Sequence, residues 1–251
     1  MRKALDLDVM TLDKFNFLLH GDYAAGKTYL LADFLKTERD IGPVKFWNMG
    51  GEDGYLTAAP FGLGSIGETL ETYEDVDEAI NEATAKPFHA LAIDGLKSMA
   101  EKVIVHEVGE DRMPQIQKGG DGFSGKNEWS EVNWAATRLY RRLRHCADIV
   151  FATVNSDKNP GFADPDKKKL WIGPDLPGKQ ARDVGPWDLV GYLRADPIGP
   201  GRMRRVITFT PNSDVVVRQR LPKLIVNPIV LPEGAGGWKT LYDVFKQALV
   251  V

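Results

Sequence analysis

An α/β fold, with a mostly parallel central sheet flanked by helices and antiparallel strands at its C-terminal edge, follows from three features of the sequence. Apolar strand-like runs alternate with helix-periodic segments over residues 15–155, the pattern that goes with parallel pairing. A glycine-containing loop, "HGDYAAGKT" (20–28), joins the first such run to the first helix. From residue 188 onward three short β-rich runs succeed one another with no helix between them, as antiparallel neighbours do. At 251 residues the chain is long enough for a substantial core and is read as one domain over 1–251, its core about 15–221 and its C-terminal extension 222–251.

The elements are justified in order. "FNFLLH" (15–20) is a continuous apolar run and reads as a buried strand; residues 28–36 follow as a helix burying Leu30, Leu31, Phe34 and Leu35. "VKFWNM" (44–49) is a second strand and "TLETY" (69–73) a short third. In "EDVDEAINEATA" (74–85), Asp75 with Glu78 three residues on is expected to cap a helix. "HALAID" (89–94) is a buried strand bounded by Gly95. Over 127–146, Trp129, Val132, Ala136, Leu139, Leu143 and Cys146 recur at helical spacing on one stripe, with Arg138, Arg141, Arg142 and Arg144 mostly away from it. "DIVFATVN" (148–155) is the next buried strand. Residues 109–126 and 156 to about 186 lack periodicity and read as long loops, which inside a domain are commonly functional. Residues 188–195, 204–211 and 214–220 are expected as antiparallel strands, and "KTLYDVFKQALV" (239–250) as a closing helix.

Composition narrows the function classes. Hydrophobic residues make 43% and charged residues 27%, an ordinary soluble balance. No apolar run approaches the roughly 18 residues a membrane helix needs, and the acids among the first fifteen residues do not read as a secretion signal. A single cysteine, Cys146, leaves no intramolecular disulfide framework and fits a reducing cytoplasm. Net charge is −3, so any grip on nucleic acid is expected to be local.

The chemistry sits at the junctions. Gly21, Asp22, Tyr23, Ala24, Ala25, Gly26, Lys27 and Thr28 fit G-x-x-x-x-G-K-[ST], with Tyr29 next on the helix. Backbone N–H groups of such a loop converge on phosphate oxygens, and the helix adds its positive N-terminal end. Lys27 is expected on the β- and γ-phosphates of ATP and the Thr28 hydroxyl on Mg²⁺. Asp94, an acid ending an apolar strand, is the expected second Mg²⁺ residue. Hydrolysis also needs a group to orient or deprotonate water. In "NMGGEDG" (48–54) Glu52 is the preferred catalytic acid over Asp53, since ligands bind at the carboxyl edge of such sheets. Asn155, ending its strand at the same edge, is the expected γ-phosphate sensor.

The order of these motifs, the phosphate loop, "GGEDG", "LAID", "ATVN" and then "VVVRQR", resembles the RecA-like P-loop ATPase core. It is similar to small phage nucleotide-binding proteins of the AAA type, including the Sak-group phage recombinases, over roughly 15–221. The resemblance implies Glu52 as catalytic glutamate, Asn155 as the polar residue ending the later strand, and Arg218 and Arg220 as arginines reaching a neighbour's nucleotide. It implies a homo-oligomer, ring or filament, and loops facing single-stranded DNA. Those loops carry Arg112, Lys118, Phe123 and Lys126, then Lys158, Lys167, Lys168, Lys169, Trp171 and Lys179, cations with interleaved aromatics that suit backbone contact and base stacking. Asp121, Asp164, Asp166 and Asp175 dilute that charge.

The expected function is therefore Mg²⁺-dependent ATP binding and hydrolysis in DNA recombination, repair or single-strand annealing. The expected setting is the cytoplasm (of the host, for a phage protein), with phage or host recombination proteins as partners and no membrane. A small-molecule or nucleotide kinase and a nucleotide-regulated, non-enzymatic assembly factor are the alternatives.

Overall fold

The run 15–21 leaves no position for water: in the computed structural model all seven residues of β1 (Phe15–Gly21) are buried. The structure describes residues 13–50, 54–110, 126–158, 172–177, 184–210, 215–221, 223, 225 and 228–249. β1 lies centrally in the sheet, parallel on one side to β5 (Ala147–Lys158) and on the other to β7 (Leu189–Gly199). Beyond β5 come β4 (Phe88–Asp94), β2 (Val44–Met49) and β3 (Gly67–Leu70), all parallel. Beyond β7 come β8 (Arg202–Thr208) and β10 (Ile229–Val230), both antiparallel to their neighbours. Two short strands complete the sheet, β6 (Ile172–Pro174) on the end of β5 and β9 (Arg218–Gln219) on the start of β7.

Alternation along β1 divides the core between two faces. Phe15, Phe17 and Leu19 point to one face, packed with α1 (Lys27–Glu38) and the last helix; Leu18 points to the other. That second face is covered by α3 (Tyr73–Ala85), α4 (Leu96–Val108) and α5 (Lys126–Leu143). Between β2 and β3 a short α2 (Gly54–Ala58) and a 3₁₀ turn (Ala59–Phe61) bridge the chain. Among the described residues no helix is long and apolar enough to cross a membrane.

Four expectations change. The cap of α3 is Thr72, one turn earlier than expected: its hydroxyl accepts from Asp75 N at 3.1 Å, while Asp75 Oδ2 accepts from Thr72 N at 2.8 Å. This reciprocal pair follows the end of β3 at Leu70, so Glu71, Thr72 and Tyr73 leave the expected strand. α4 was not assigned from sequence, although Leu96, Met99, Ala100, Val103 and Ile104 have helical spacing and are all buried. Residues 188–195 are antiparallel to β8 and, at Leu189 and Val190, to β9, but β7 also pairs parallel with β1. Within the second long loop, β5 runs on to Lys158 and Ser156 to Lys158 pair with β6.

The last helix, α6 (Gly237–Leu249), is held by acids of α1. Gly236 N and Trp238 N donate to the Asp33 carboxylate at 2.8–3.1 Å, capping the helix start. Trp238 Nε1 donates to Glu38 Oε1 at 2.7 Å, and Glu38 Oε2 meets His89 Nε2 at 2.8 Å. Both acids are buried, and these bonds satisfy them. The arginines of α5 are largely tied within the chain: Arg138 to Glu107 and Arg142 to Asp77, followed just past the helix by Arg144 to Asp188. A solvated, ion-paired face accounts for them.

Candidate functional site

β1 delivers the chain to the carboxyl edge of the sheet, and the turn there is shaped by two glycines. A Cβ on Gly21 would lie 2.3 Å from the Leu193 carbonyl oxygen of the adjacent strand. Gly26, the N-cap of α1, has φ 96°, and its Cβ would lie 2.4 Å from Arg205 Nε. Position 26 therefore needs glycine for conformation and for space. The start of α1 carries no side-chain cap and no acid in its first turn, so its leading N–H groups keep their capacity for an anion. Lys27 curls over the loop, Nζ donating to the carbonyls of Gly21 at 3.0 Å and Asp22 at 2.9 Å. Asp22, Tyr23 and Ala24 are exposed, Ala25 is buried, and Thr28 and Tyr29 are half-buried.

Thr28 and Asp94 meet. The Thr28 hydroxyl donates to Asp94 Oδ2 at 2.7 Å, and Thr153 of β5 donates to Asp94 Oδ1. Asp94 is buried at the end of β4, its carboxylate held by two hydroxyls. A hydroxyl and a carboxylate side by side at the phosphate loop are hard oxygen donors, and the set fits Mg²⁺. Among the described residues no cluster of three or more His, Cys, Asp or Glu could hold a metal. The fit is thus to an ion that keeps water and phosphate oxygens as its remaining ligands.

These groups line an open cleft of about 860 Å³ at the carboxyl edge, shared by Lys27, Thr28, Asp94, Asn155, Asp175 and Arg205. Its size suits a cofactor-sized ligand. Asn155 pairs in register with Gly21, and its carbonyl accepts from Asp175 N at 2.8 Å. Asp175 Oδ2 in turn accepts from Lys97 Nζ at 2.7 Å; Glu101 lines the same wall, where burial pushes its carboxyl up.

His20 lies directly behind the loop. It is fully buried, and burial lowers its pKa to about 4, so the ring is neutral near pH 7. Val216 O, 2.7 Å from Nε2, can only accept, so Nε2 carries the proton and donates. Nδ1 therefore accepts from the Ser156 hydroxyl at 2.9 Å. One imidazole ties the residue before Gly21 to β5 and to the segment after residue 215.

The arginines expected to act across an interface are placed elsewhere. β9 pairs with Leu189 and Val190, at the start of β7 and the opposite edge of the sheet from Gly21. Arg220 donates to Asp188 Oδ1 at 3.1 Å and to Gly185 O at 2.9 Å. Arg218 is half-buried on β9. Neither lines the cleft of its own chain. Arg205 of β8 does, and sequence reasoning missed it: within "GRMRRV" nothing distinguishes it from Arg202 and Arg204. Glu52 and Asp53 lie outside the described residues. So do Arg112, Lys118, Asp121, Phe123, Asp164, Asp166, Lys167, Lys168, Lys169, Trp171 and Lys179, and the side chains of Lys126 and Lys158.

Compared with known proteins, residues 13–221 match a family described as the AAA domain. No curated protein matches the chain. The matched segment begins just before β1 and ends after β9, so it contains every cleft residue named above.

Proposed function

The chain belongs to the AAA domain family, and from that premise we propose that it is an ATPase: it binds Mg·ATP at the phosphate loop and hydrolyses it. The observation that carries this reading is the Thr28–Asp94 hydrogen bond at the mouth of a glycine loop whose lysine is folded onto its own carbonyls. Those bonds hold Lys27 close to the loop until phosphate oxygens replace the two carbonyls. Mg²⁺, when bound, neutralises developing phosphate charge. Thr28 and Asp94 hold it, Lys27 binds the β- and γ-phosphates, and Glu52 is assigned the proton of the attacking water. Asn155 is assigned to the γ-phosphate.

The finer reading is an enzyme of DNA recombination or single-strand annealing, similar to the phage recombinases whose motif order it shares. It would work as a homo-oligomer on single-stranded DNA through the 109–126 and 156–186 loops. In that assembly Arg218 and Arg220 would approach a neighbour's nucleotide. Arg220 would first have to leave Asp188 and Gly185.

The test is phosphate release from Mg·ATP by purified protein, with and without single-stranded DNA. Release that rises with DNA supports both levels of the reading; release indifferent to DNA retains the ATPase alone. Phosphate appearing on a small acceptor instead of in solution would make the protein a kinase. Nucleotide binding without turnover would make it an assembly factor. Mixing Arg218→Ala/Arg220→Ala protein with Lys27→Ala protein tests the interface: recovered activity requires one chain to complete the other's site.

A further inference from the structure

Two strands bring cleft residues to the carboxyl edge: β4 ends in Asp94, and β5 passes through Asn155. One ion pair joins the segments that follow them. α4 begins directly after Asp94, with Gly95 as N-cap and Lys97 in its first turn. Lys97 Nζ donates to Asp175 Oδ2 at 2.7 Å, and Asp175 N donates to the Asn155 carbonyl at 2.8 Å. We propose that Lys97 is a positioning residue: through Asp175 it ties the end of β5 to the start of α4 and so fixes Asn155 in the cleft. This rests on the nucleotide-site reading above and adds to it a group that touches neither phosphate nor metal.

Lys97 stands where a helix favours acids. The first turn of α4 carries none, and a lysine there meets the positive end of the helix dipole. Burial also works against its charge, but Asp175, Glu101 and Asp157 more than offset that burial, and the lysine pKa is raised. Those carboxylates come from three places: Glu101 one turn on in α4, its Oε1 3.9 Å from Nζ, Asp157 in β5, and Asp175 just after β6. Burial raises the Glu101 pKa, Lys97 lowers it, and Asp175 raises it again. One ammonium thus serves acids on three segments, and without it they repel one another. Held among carboxylates, it is a poor phosphate ligand, whereas Lys27 rests on two carbonyls.

The segment so held is lightly fixed by the sheet. β5 pairs with β4 as far as Ala152 and with β1 as far as Asn155. Beyond Asn155 its partner is β6, three residues long. Asn155 is the last residue of β5 that the parallel ladder holds, and the Lys97–Asp175 pair sets the chain immediately after it. Asp94 and Asn155 thereby meet the cleft from two strands whose exits are joined by one ion pair.

The experiment compares wild type with Lys97→Met, Lys97→Arg, Asp175→Asn and the double variant Lys97→Met/Asp175→Asn. It reads Mg·ATP turnover and, by calorimetry, the ratio of Mg·ATP to Mg·ADP affinity. Lys97→Met should lower kcat by about 10-fold or more and the affinity ratio by about 3-fold. Mg·ADP affinity should stay within about 2-fold of wild type, because the phosphate loop is untouched. Lys97→Arg keeps the charge and should stay within about 3-fold of wild-type kcat. Asp175→Asn should lose turnover too. The double variant should be no slower than Lys97→Met, because the carboxylate left without its cation is gone. A rise in Mg·ATP affinity in Asp175→Asn would make Lys97 a phosphate ligand that Asp175 restrains, and overturn the proposal. So would wild-type turnover and affinity ratio in Lys97→Met, or equal losses of Mg·ATP and Mg·ADP affinity. Wild type that binds Mg·ATP without hydrolysing it would remove the ATPase reading, while the affinity ratio still decides on Lys97. Wild type that binds neither nucleotide would overturn both.

Discussion

The two edges of the sheet treat their charges in opposite ways. At the amino edge, Asp188 receives Asn16 N at 3.1 Å, Arg220 Nη1 at 3.1 Å and Arg144 Nη2 at 3.5 Å. The carboxylate is only 5% exposed, and this set of donors completes it. At the carboxyl edge, Lys27 rests on carbonyls of its own loop and Arg205 Nε has no partner. Lys97 meets Asp175 at the carboxyl edge as well, so the contrast is between Arg220, held by a carboxylate, and Arg205, whose Nε has no acceptor. A charge neutralised by buried protein groups holds the structure; one held by replaceable contacts, or by none, awaits a ligand. The difference separates Arg220 from Arg205, which composition cannot do.

Substitutions at the two edges should therefore fail in different measurements. The largest effect is expected from Lys27→Ala, which removes the charge aimed at the β- and γ-phosphates. ATP turnover should fall by about 100-fold or more, with the unfolding midpoint close to wild type. A large loss of stability with little loss of turnover would reverse the assignment of that edge.

The next effect sharpens the comparison from behind the phosphate loop, where His20 is completed by protein and should act structurally. Its folded pKa, about 4, lies below the usual 6.5 of histidine. Above pH 6.5 the ring is neutral in both folded and unfolded chains, and the bonds to Ser156 and Val216 stand in full. Between 6.5 and 4 the unfolded chain takes up the proton and the folded one does not, so stability falls as pH falls, by about 3 kcal/mol in all. Denaturant titrations across that window should show the slope in wild type and a shallower one in His20→Asn. Equal slopes would mean that the imidazole is not held neutral.

At the amino edge, Asp188→Ala leaves Arg144 and Arg220 facing each other without their anion. The arginines are partly solvated, so about 2 kcal/mol of stability should be lost, with ATP affinity changed by less than about 2-fold. Smallest is Arg220→Ala, which leaves Asp188 with Arg144 and Asn16 N; about 1 kcal/mol is expected from chemical denaturation. A selective loss of turnover in Arg220→Ala, with stability intact, would break the contrast and return Arg220 to the interface reading.

What was legible in the sequence was whatever its neighbours along the chain decide. The strand–loop–helix of 15–36, the acid ending β4 and the alternation of strands and helices are set by spacings of two, three or four residues, and these give the fold class and bring Thr28 and Asp94 into one cleft. The cap of α3 was misplaced by one turn because two capping patterns overlap at Thr72 and Asp75, and the hydrogen bonds chose between them. Tertiary structure alone decided which strands lie beside β1, and with that which arginine meets which acid. Nothing in the local spacing marks Asp33 and Glu38 as buried acids; the packing of α6 against α1 makes them so. Arg205 resembles its neighbours in "RMRRV" until the antiparallel turn lays it on Gly26. Local pattern encodes which face of an element is buried; the identity of the group it meets depends on chain topology, and a side chain carries no record of a partner so distant in sequence.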